Sequence, residues 1–120
     1  MSVLVAVTGS KEGQAALQVA ATEAELLNVQ LIAVNLTGAD LDTSVIATEL
    51  PYEVVVPSGA SDIDDVEQVL RVIEERPDVT RLVVGIRKRS PLGKAVLGSI
   101  AQRLILEASI PVLSVKASDA

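Results

Sequence analysis

Branched apolar residues gather in four short runs along the chain, at positions 3–7, 30–36, 82–84 and 112–115. Each run is apolar on both faces of an extended backbone, which is what a parallel sheet covered on both sides requires. A weaker run at 52–56 lies between Pro51 and Pro57 and completes a set of five candidate strands. Between the runs the apolar period lengthens to that of a helix. Over 11–28, Leu17, Ala20, Ala21, Ala24 and Leu27 share one face, with Gln14, Gln18, Thr22 and Glu25 on the other. The alanines allow that helix to approach a sheet closely.

A second helix is predicted over 61–76, with Ile63, Val66, Val69, Leu70 and Ile73 as its apolar face. Asp62, Asp64 and Asp65 crowd its first turn, Arg76 sits at its end and Pro77 stops it. Those charges complement a helix dipole, so the acidic run is helix-start chemistry and not a metal site. The last helix is predicted to begin at Ser99, where "SIAQ" fits a capping box with Ser99 as N-cap. Ala101, Leu104 and Ala108 then form an inward stripe, and Pro111 opens the final strand. The segment 37–50 has room for a short helix over 43–50. Strands that alternate with helices predict a single α/β domain over residues 1–120, a doubly wound parallel sheet with helices on both faces.

Composition removes several kinds of chemistry. The 120 residues include no histidine and no cysteine, so catalytic triads, thiol nucleophiles and ordinary zinc sites are excluded. Tyr52 is the one aromatic residue and the formal charge is −6, a poor basis for stacking or attracting nucleic acid. No apolar run approaches the ~20 residues of a membrane span, and the opening "MSVLVAVTGS" reads as a strand and not as a signal peptide. The expected setting is the cytoplasm, without membrane or nucleic-acid partners.

One stretch departs from the rest. "GIRKRSPLGKAVLGS", residues 85–99, holds four of the ten basic residues, Arg87, Lys88, Arg89 and Lys94, and no acid. Ligands of open α/β sheets bind beyond the carboxyl ends of the strands, where the strand order reverses. Two loops have suitable chemistry there: Thr8–Gly9–Ser10 after the first strand, and the basic stretch after the strand ending at Val84. A glycine at 85 permits a sharp turn and close backbone approach to a ligand. Gly98 does the same before the last helix, whose first N–H groups would carry the positive end of its dipole toward an anion. Local physics leaves two readings open, a phosphate cradle and a solvated basic loop. A P-loop is excluded, because seven residues separate Gly85 from Gly93 and Ala95 follows Lys94.

The same stretch resembles the nucleotide-binding signature of universal stress proteins: Gly, two residues, Gly, nine residues, then Gly and Ser or Thr. Gly85 takes the first position and Gly98–Ser99 the last, with the spacing preserved. The flanking "RLVVG", "LGSIAQRLILEASIPVLSVK" and "VLVAVTGS" resemble the family's corresponding strands and helix. The resemblance implies a Rossmann-like, five-stranded sheet of order 3-2-1-4-5. It implies ATP as ligand, with Mg²⁺ as a possible companion, and a homodimer joined through the last strand. Carried over by position, it implies contacts to ribose and phosphates from Gly85, Gly98, Ser99 and Ile100. Val84 and Arg87 would then lie beside the nucleotide, and Val34 would present backbone groups to the base. Two positions depart from the pattern. Lys88 stands where the second glycine is expected, so that its charge is available to phosphates. Thr8 replaces the usual aspartate but keeps a hydrogen-bonding hydroxyl.

The function expected from the residues and the resemblance together is an adenine-nucleotide-binding stress-response module. It is not an enzyme, since no pair of carboxylates is evident to activate water. The competing expectation is a dimeric interaction protein of the same fold without nucleotide, which Lys88 and Thr8 favour. A flavin carrier would want aromatic rings on the flavin, and a phospho-receiver an acidic cluster where this chain has Thr8.

Overall fold

The computed structural model describes residues 1–57, 64–89, 94–96 and 98–118, and the side chains of these except for 88, 89, 94–96 and 118. The elements run β1 (Ser2–Thr8), α1 (Lys11–Leu27), β2 (Gln30–Leu36), β3 (Tyr52–Val55), α2 (Asp65–Glu75), β4 (Val79–Arg89), β5 (Lys94–Val96), α3 (Ser99–Glu107) and β6 (Val112–Ser118). Five strands lie parallel in the order β3-β2-β1-β4-β6, which is the expected 3-2-1-4-5 arrangement. All five apolar runs became strands.

The period-2 alternation of each strand sorts its residues onto two faces. Val3, Val5, Val7, Leu31, Ala33 and Val83 meet α1 through Ala16, Leu17, Ala20, Ala21 and Ala24. Leu4, Ala6, Ile32, Val34, Leu82, Val84 and Ile86 meet α2 and α3 through Val66, Val69, Ile73, Ala101 and Leu104. Central strands are therefore apolar throughout because each face has its own helical cover. Burying a Leu or Val fully stabilises by about 1.5–3 kcal/mol, so these two layers carry most of the fold.

Local signals set the helix ends. Ser10 is the N-cap of α1, its Oγ accepting the Gly13 N–H at 3.2 Å. Asn28 closes the same helix in the left-handed region at φ 57, and Leu27, expected in the core, is left at the surface as the chain turns away. Asp64 caps α2, its Oδ1 accepting the Glu67 N–H at 2.9 Å. That bond, and the Arg103 guanidinium 2.7 Å from the other oxygen, hold its carboxyl below the ordinary range. The predicted beginning of α2, with Asp62 and Ile63, lies outside the described residues.

Three expectations are corrected. The segment 43–50 forms successive turns, with Ile46 N–H bonded to Thr43 O and Leu50 N–H to Ala47 O, and no helix. Ser99 is not the N-cap of α3. Gly98 takes that place at φ −66, ψ 164 without a side-chain cap bond, and Ser99 is already helical. The third correction concerns the basic stretch. β4 does not stop at Val84 but continues through Arg89, and residues 94–96 return antiparallel to it as β5. Arg87 and Lys88 pair with β5 and also with Ala117 and Ser118 of β6. Since a strand has two edges, β5 must occupy the edge that β1 uses farther back. It therefore lies in line with β1, beyond Thr8.

Candidate functional site

The chain leaves β1 toward β2 on one side, while β4 lies on its other side, so the strand order reverses between β1 and β4. A crevice is expected at the carboxyl edge of that junction. The structure has one there, of about 250 Å³. Thr8 and Ser10 form one wall, Gly85, Ile86 and Arg87 the floor and opposite wall, and Gly98 to Ala101 the start of α3. Two helix N-termini, those of α1 and α3, therefore converge on one hollow.

The two helix starts are not equivalent. At α1 the Ser10 hydroxyl both caps the helix and lies 2.7 Å from the Thr8 hydroxyl, and Glu12 adds a negative charge in the first turn. At α3 there is no side-chain cap and no acid in the first turn. The first intrahelical bond runs from Gln102 N–H to Gly98 O at 2.9 Å. The N–H groups of Ser99, Ile100 and Ala101 precede it and have no partner within the helix. This is the arrangement in which a helix start holds an anion, through aligned donors and about half a positive charge.

Of the residues singled out from the sequence, Thr8, Gly85, Arg87, Gly98, Ser99 and Ile100 come together around this cleft. Val84 lies beneath it, 2 % exposed, beside a void of about 20 Å³ that also touches Thr8 and Ile100. Val34 is not brought to the cleft. Its side chain is fully buried against the α2–α3 layer, and its backbone is inside the ladder, opposite Ala6 and Val55. The edge of β2 is reached by the next residues, Asn35 and Leu36, which line a second hollow of about 440 Å³ with Gly38, Asp40 and Val56. Asn35 shapes that hollow: its amide donates to Ala39 O at 2.7 Å and accepts from the Thr37 N–H at 3.0 Å. The backbone of Lys88 lies in β4, and its side chain and that of Lys94 are outside the described residues.

Gly85 has a different role from the one its sequence position suggests. It does not turn; it is paired with Val115 in the middle of β4. A Cβ there would lie 2.0 Å from the Glu12 carbonyl oxygen, so the missing side chain makes room for the first turn of α1. Gly13 serves the same packing, since its Cβ would lie 2.1 Å from the Thr8 carbonyl oxygen. Gly98 is the opposite case. Among the described residues nothing lies within 4 Å of where its Cβ would be, and Gly98 itself lines the cleft.

Sequence reasoning missed Glu12. Its side chain is 20 % exposed in the cleft, with Oε1 3.8 Å from Nη2 of Arg87. Helical spacing would have found it, because Glu12 is one turn from Ala16 on the sheet-facing side of α1. Among the described residues no group of three or more acids could hold a metal ion, and no helix is long and apolar enough to cross a membrane.

Comparison with known proteins gives a consistent picture. The family model described as the universal stress protein family matches residues 53–116. A universal stress protein of Mycolicibacterium smegmatis is 33 % identical over 129 residues, covering 95 % of this chain and 96 % of that protein. Among solved structures, a universal stress protein from Archaeoglobus fulgidus superimposes with a TM-score of 0.75 at 29 % identity, covering 97 % of this chain and 98 % of the other. The Archaeoglobus fulgidus universal stress protein in complex with dAMP gives 0.70 at 24 % identity, with the same coverage. A universal stress protein in complex with cAMP gives 0.63 at 20 %, covering 97 % and 96 %.

Proposed function

The chain belongs to the universal stress protein family, and from that premise we propose that it binds an adenine nucleotide across the carboxyl edge of its sheet. The observation that carries this reading is the start of α3, which faces the cleft at the strand-order reversal with no side-chain cap and with three N–H groups that have no partner among the described residues. A phosphate fits those donors, and the Ser99 hydroxyl and Arg87 are within the same walls. The hollow beside Asn35 and Leu36 lies along the same edge of the sheet and offers space for a base. Relatives of the same fold bind dAMP and cAMP, which supports adenine as the base. The sequence resemblance extends the ligand set to ATP, with or without Mg²⁺. The role proposed is to sense or retain the nucleotide in the cytoplasm during a stress response, with little or no hydrolysis. Glu12, the carboxylate lining the cleft, faces Arg87, an arrangement that suits binding better than activation of water.

The test is to denature freshly purified protein, identify the small molecules released, and titrate the stripped protein with AMP and with ATP and Mg²⁺ by calorimetry. Adenine nucleotide in the extract, or saturable heat below millimolar ligand, is the expected result. An empty extract and no heat at millimolar ligand would overturn the reading. The competing proposal, an interaction protein without nucleotide, is favoured by the course of β4. Where the signature has its second glycine, Lys88 continues the strand into the β4–β5 hairpin. The same titration separates the two.

We also propose that the protein is a homodimer joined along β6. Among the described residues that strand pairs with β4 alone, so its outer edge is unpaired, and Leu113 is 38 % exposed upon it. Unpaired edges are templates for a second strand. Sedimentation equilibrium should show a single species of twice the chain mass. A monomer at every concentration up to hundreds of micromolar would refute it.

A further inference from the structure

We propose that Arg103 is a phosphate-binding residue, which holds the phosphate of the ligand from the α2 side of the start of α3. This inference rests on the nucleotide reading above. A third hollow, of about 240 Å³, adjoins the cleft, and Ser99 and Ile100 line both. Its other walls are Asp64, Asp65 and Val66 at the start of α2, and Arg103. An anion seated on the Ser99 and Ile100 N–H groups would therefore border both hollows. Arg103 lies one turn beyond Ser99 on the same face of α3, and helical side chains lean toward the amino end of their helix. The contact with Asp64 shows that this one does. Nη1 of Arg103 lies 2.7 Å from Oδ2 of Asp64, which caps α2 where that helix leaves the carboxyl edge of the sheet.

The guanidinium is oriented before any ligand arrives. Glu107, one turn farther along α3, accepts from Nε at 3.0 Å while Asp64 accepts from Nη1. Two carboxylates on different elements thus fix the plane of the group. Nη2 has no partner among the described residues, and a guanidinium can give parallel N–H groups to one phosphate. The side chain is 41 % exposed, so a ligand can reach it. A phosphate gains this arginine without breaking either ion pair. Exposed ion pairs contribute little to stability, so the arrangement serves better to orient the guanidinium than to brace α2 against α3. The long, flexible side chain has then lost part of its freedom in advance, which lowers what binding must spend on ordering it.

The experiment is calorimetry on the full chain with AMP and with adenosine, for the unaltered protein, Arg103→Gln, Arg103→Lys and Asp64→Asn. Loss of a hydrogen bond to a charged group should weaken AMP about tenfold or more in Arg103→Gln, and adenosine, which lacks the phosphate, by less than about twofold. Arg103→Lys keeps the charge without the planar fork and should recover part of the AMP affinity. Asp64→Asn tests a purely structural role. Asparagine caps a helix as well as aspartate does, so α2 is kept while its ion pair with Arg103 is removed. That variant should bind AMP within about threefold of the unaltered protein, since an exposed pair is worth little. Unchanged AMP affinity in Arg103→Gln would overturn the inference, as would an equal loss for adenosine. A loss in Asp64→Asn as large as in Arg103→Gln would also overturn it, because the contact between helices would then be responsible. In each of those cases the unaltered protein binds AMP and the nucleotide reading stands. Absence of AMP binding by the unaltered protein would overturn both.

Discussion

Replacing Gly85 with alanine is expected to lower the unfolding free energy by about 3 kcal/mol or more, and the midpoint of thermal unfolding by roughly 10 °C or more. The new Cβ would stand 2.0 Å from the carbonyl oxygen and 2.5 Å from the carbonyl carbon of Glu12. Both are backbone atoms of a helical turn, so no side-chain rotation relieves the overlap. The turn itself cannot back away cheaply. Gly13 holds it against Thr8, where a Cβ would come within 2.1 Å of the carbonyl oxygen, and Ala16, Leu17 and Ala20 continue the contact at zero exposure. Gly13→Ala gives the same prediction a sharper form. In an exposed helix interior that change stabilises by about 1 kcal/mol; here it should destabilise. Denaturant titration of both variants checks this. A loss below about 0.5 kcal/mol for Gly85→Ala would mean that α1 does not sit on β4 as described.

The close approach also explains which parts of the fold were legible in the sequence. The strands could be read because a sheet covered on both faces has to be apolar on both, and positions 3–7, 30–36 and 112–115 are. The helices could be read because their covering faces recur at helical spacing. What could not be read was set by contacts between distant segments. β4 was expected to stop at Val84 because Arg87, Lys88 and Arg89 are not core residues. They extend the strand because β6 offers one edge partner through Ser118 and β5 the other. The pattern of Ser99 to Gln102 satisfies a capping box as letters, yet the extended backbone at Gly98 moves the cap one residue earlier.

The candidate site was legible where its chemistry is local and illegible where it depends on packing. Gly98, Ser99 and Ile100 belong to one helix start, and the sequence shows a helix start directly. Thr8 and Gly85 were expected to meet because their strands were expected to be neighbours, and β1 and β4 are paired. Val34 was placed near the base by resemblance to a family segment; the two-residue period instead buries it and brings Asn35 and Leu36 to the edge. Glu12 went unnoticed because a lone acid in a first turn is ordinary helix chemistry until a fold sets it opposite Arg87.

Gly98→Val is expected to reduce nucleotide affinity at least about tenfold while leaving a folded protein. The two glycines of the signature look alike in sequence, and the structure gives them opposite tolerances. At Gly98 the backbone lies at φ −66, ψ 164, a conformation open to every residue, and a Cβ would meet none of the described residues within 4 Å. The cost to stability is then that of a poor N-cap, about 1 kcal/mol or less. The cost to binding is larger, because the branched side chain would project into the space from which a phosphate reaches the N–H groups of Ser99, Ile100 and Ala101. A hydrogen bond to a charged group is worth about 1.5–3 kcal/mol, so losing one accounts for a tenfold change. Gly98→Ser separates blocking from destabilisation. Its hydroxyl would cap α3 and raise stability by a few tenths of a kcal/mol, yet it would occupy one of the donors a phosphate needs. Both variants should weaken AMP binding while moving the unfolding midpoint in opposite directions. If both bind AMP as the unaltered protein does, the phosphate does not sit on the start of α3.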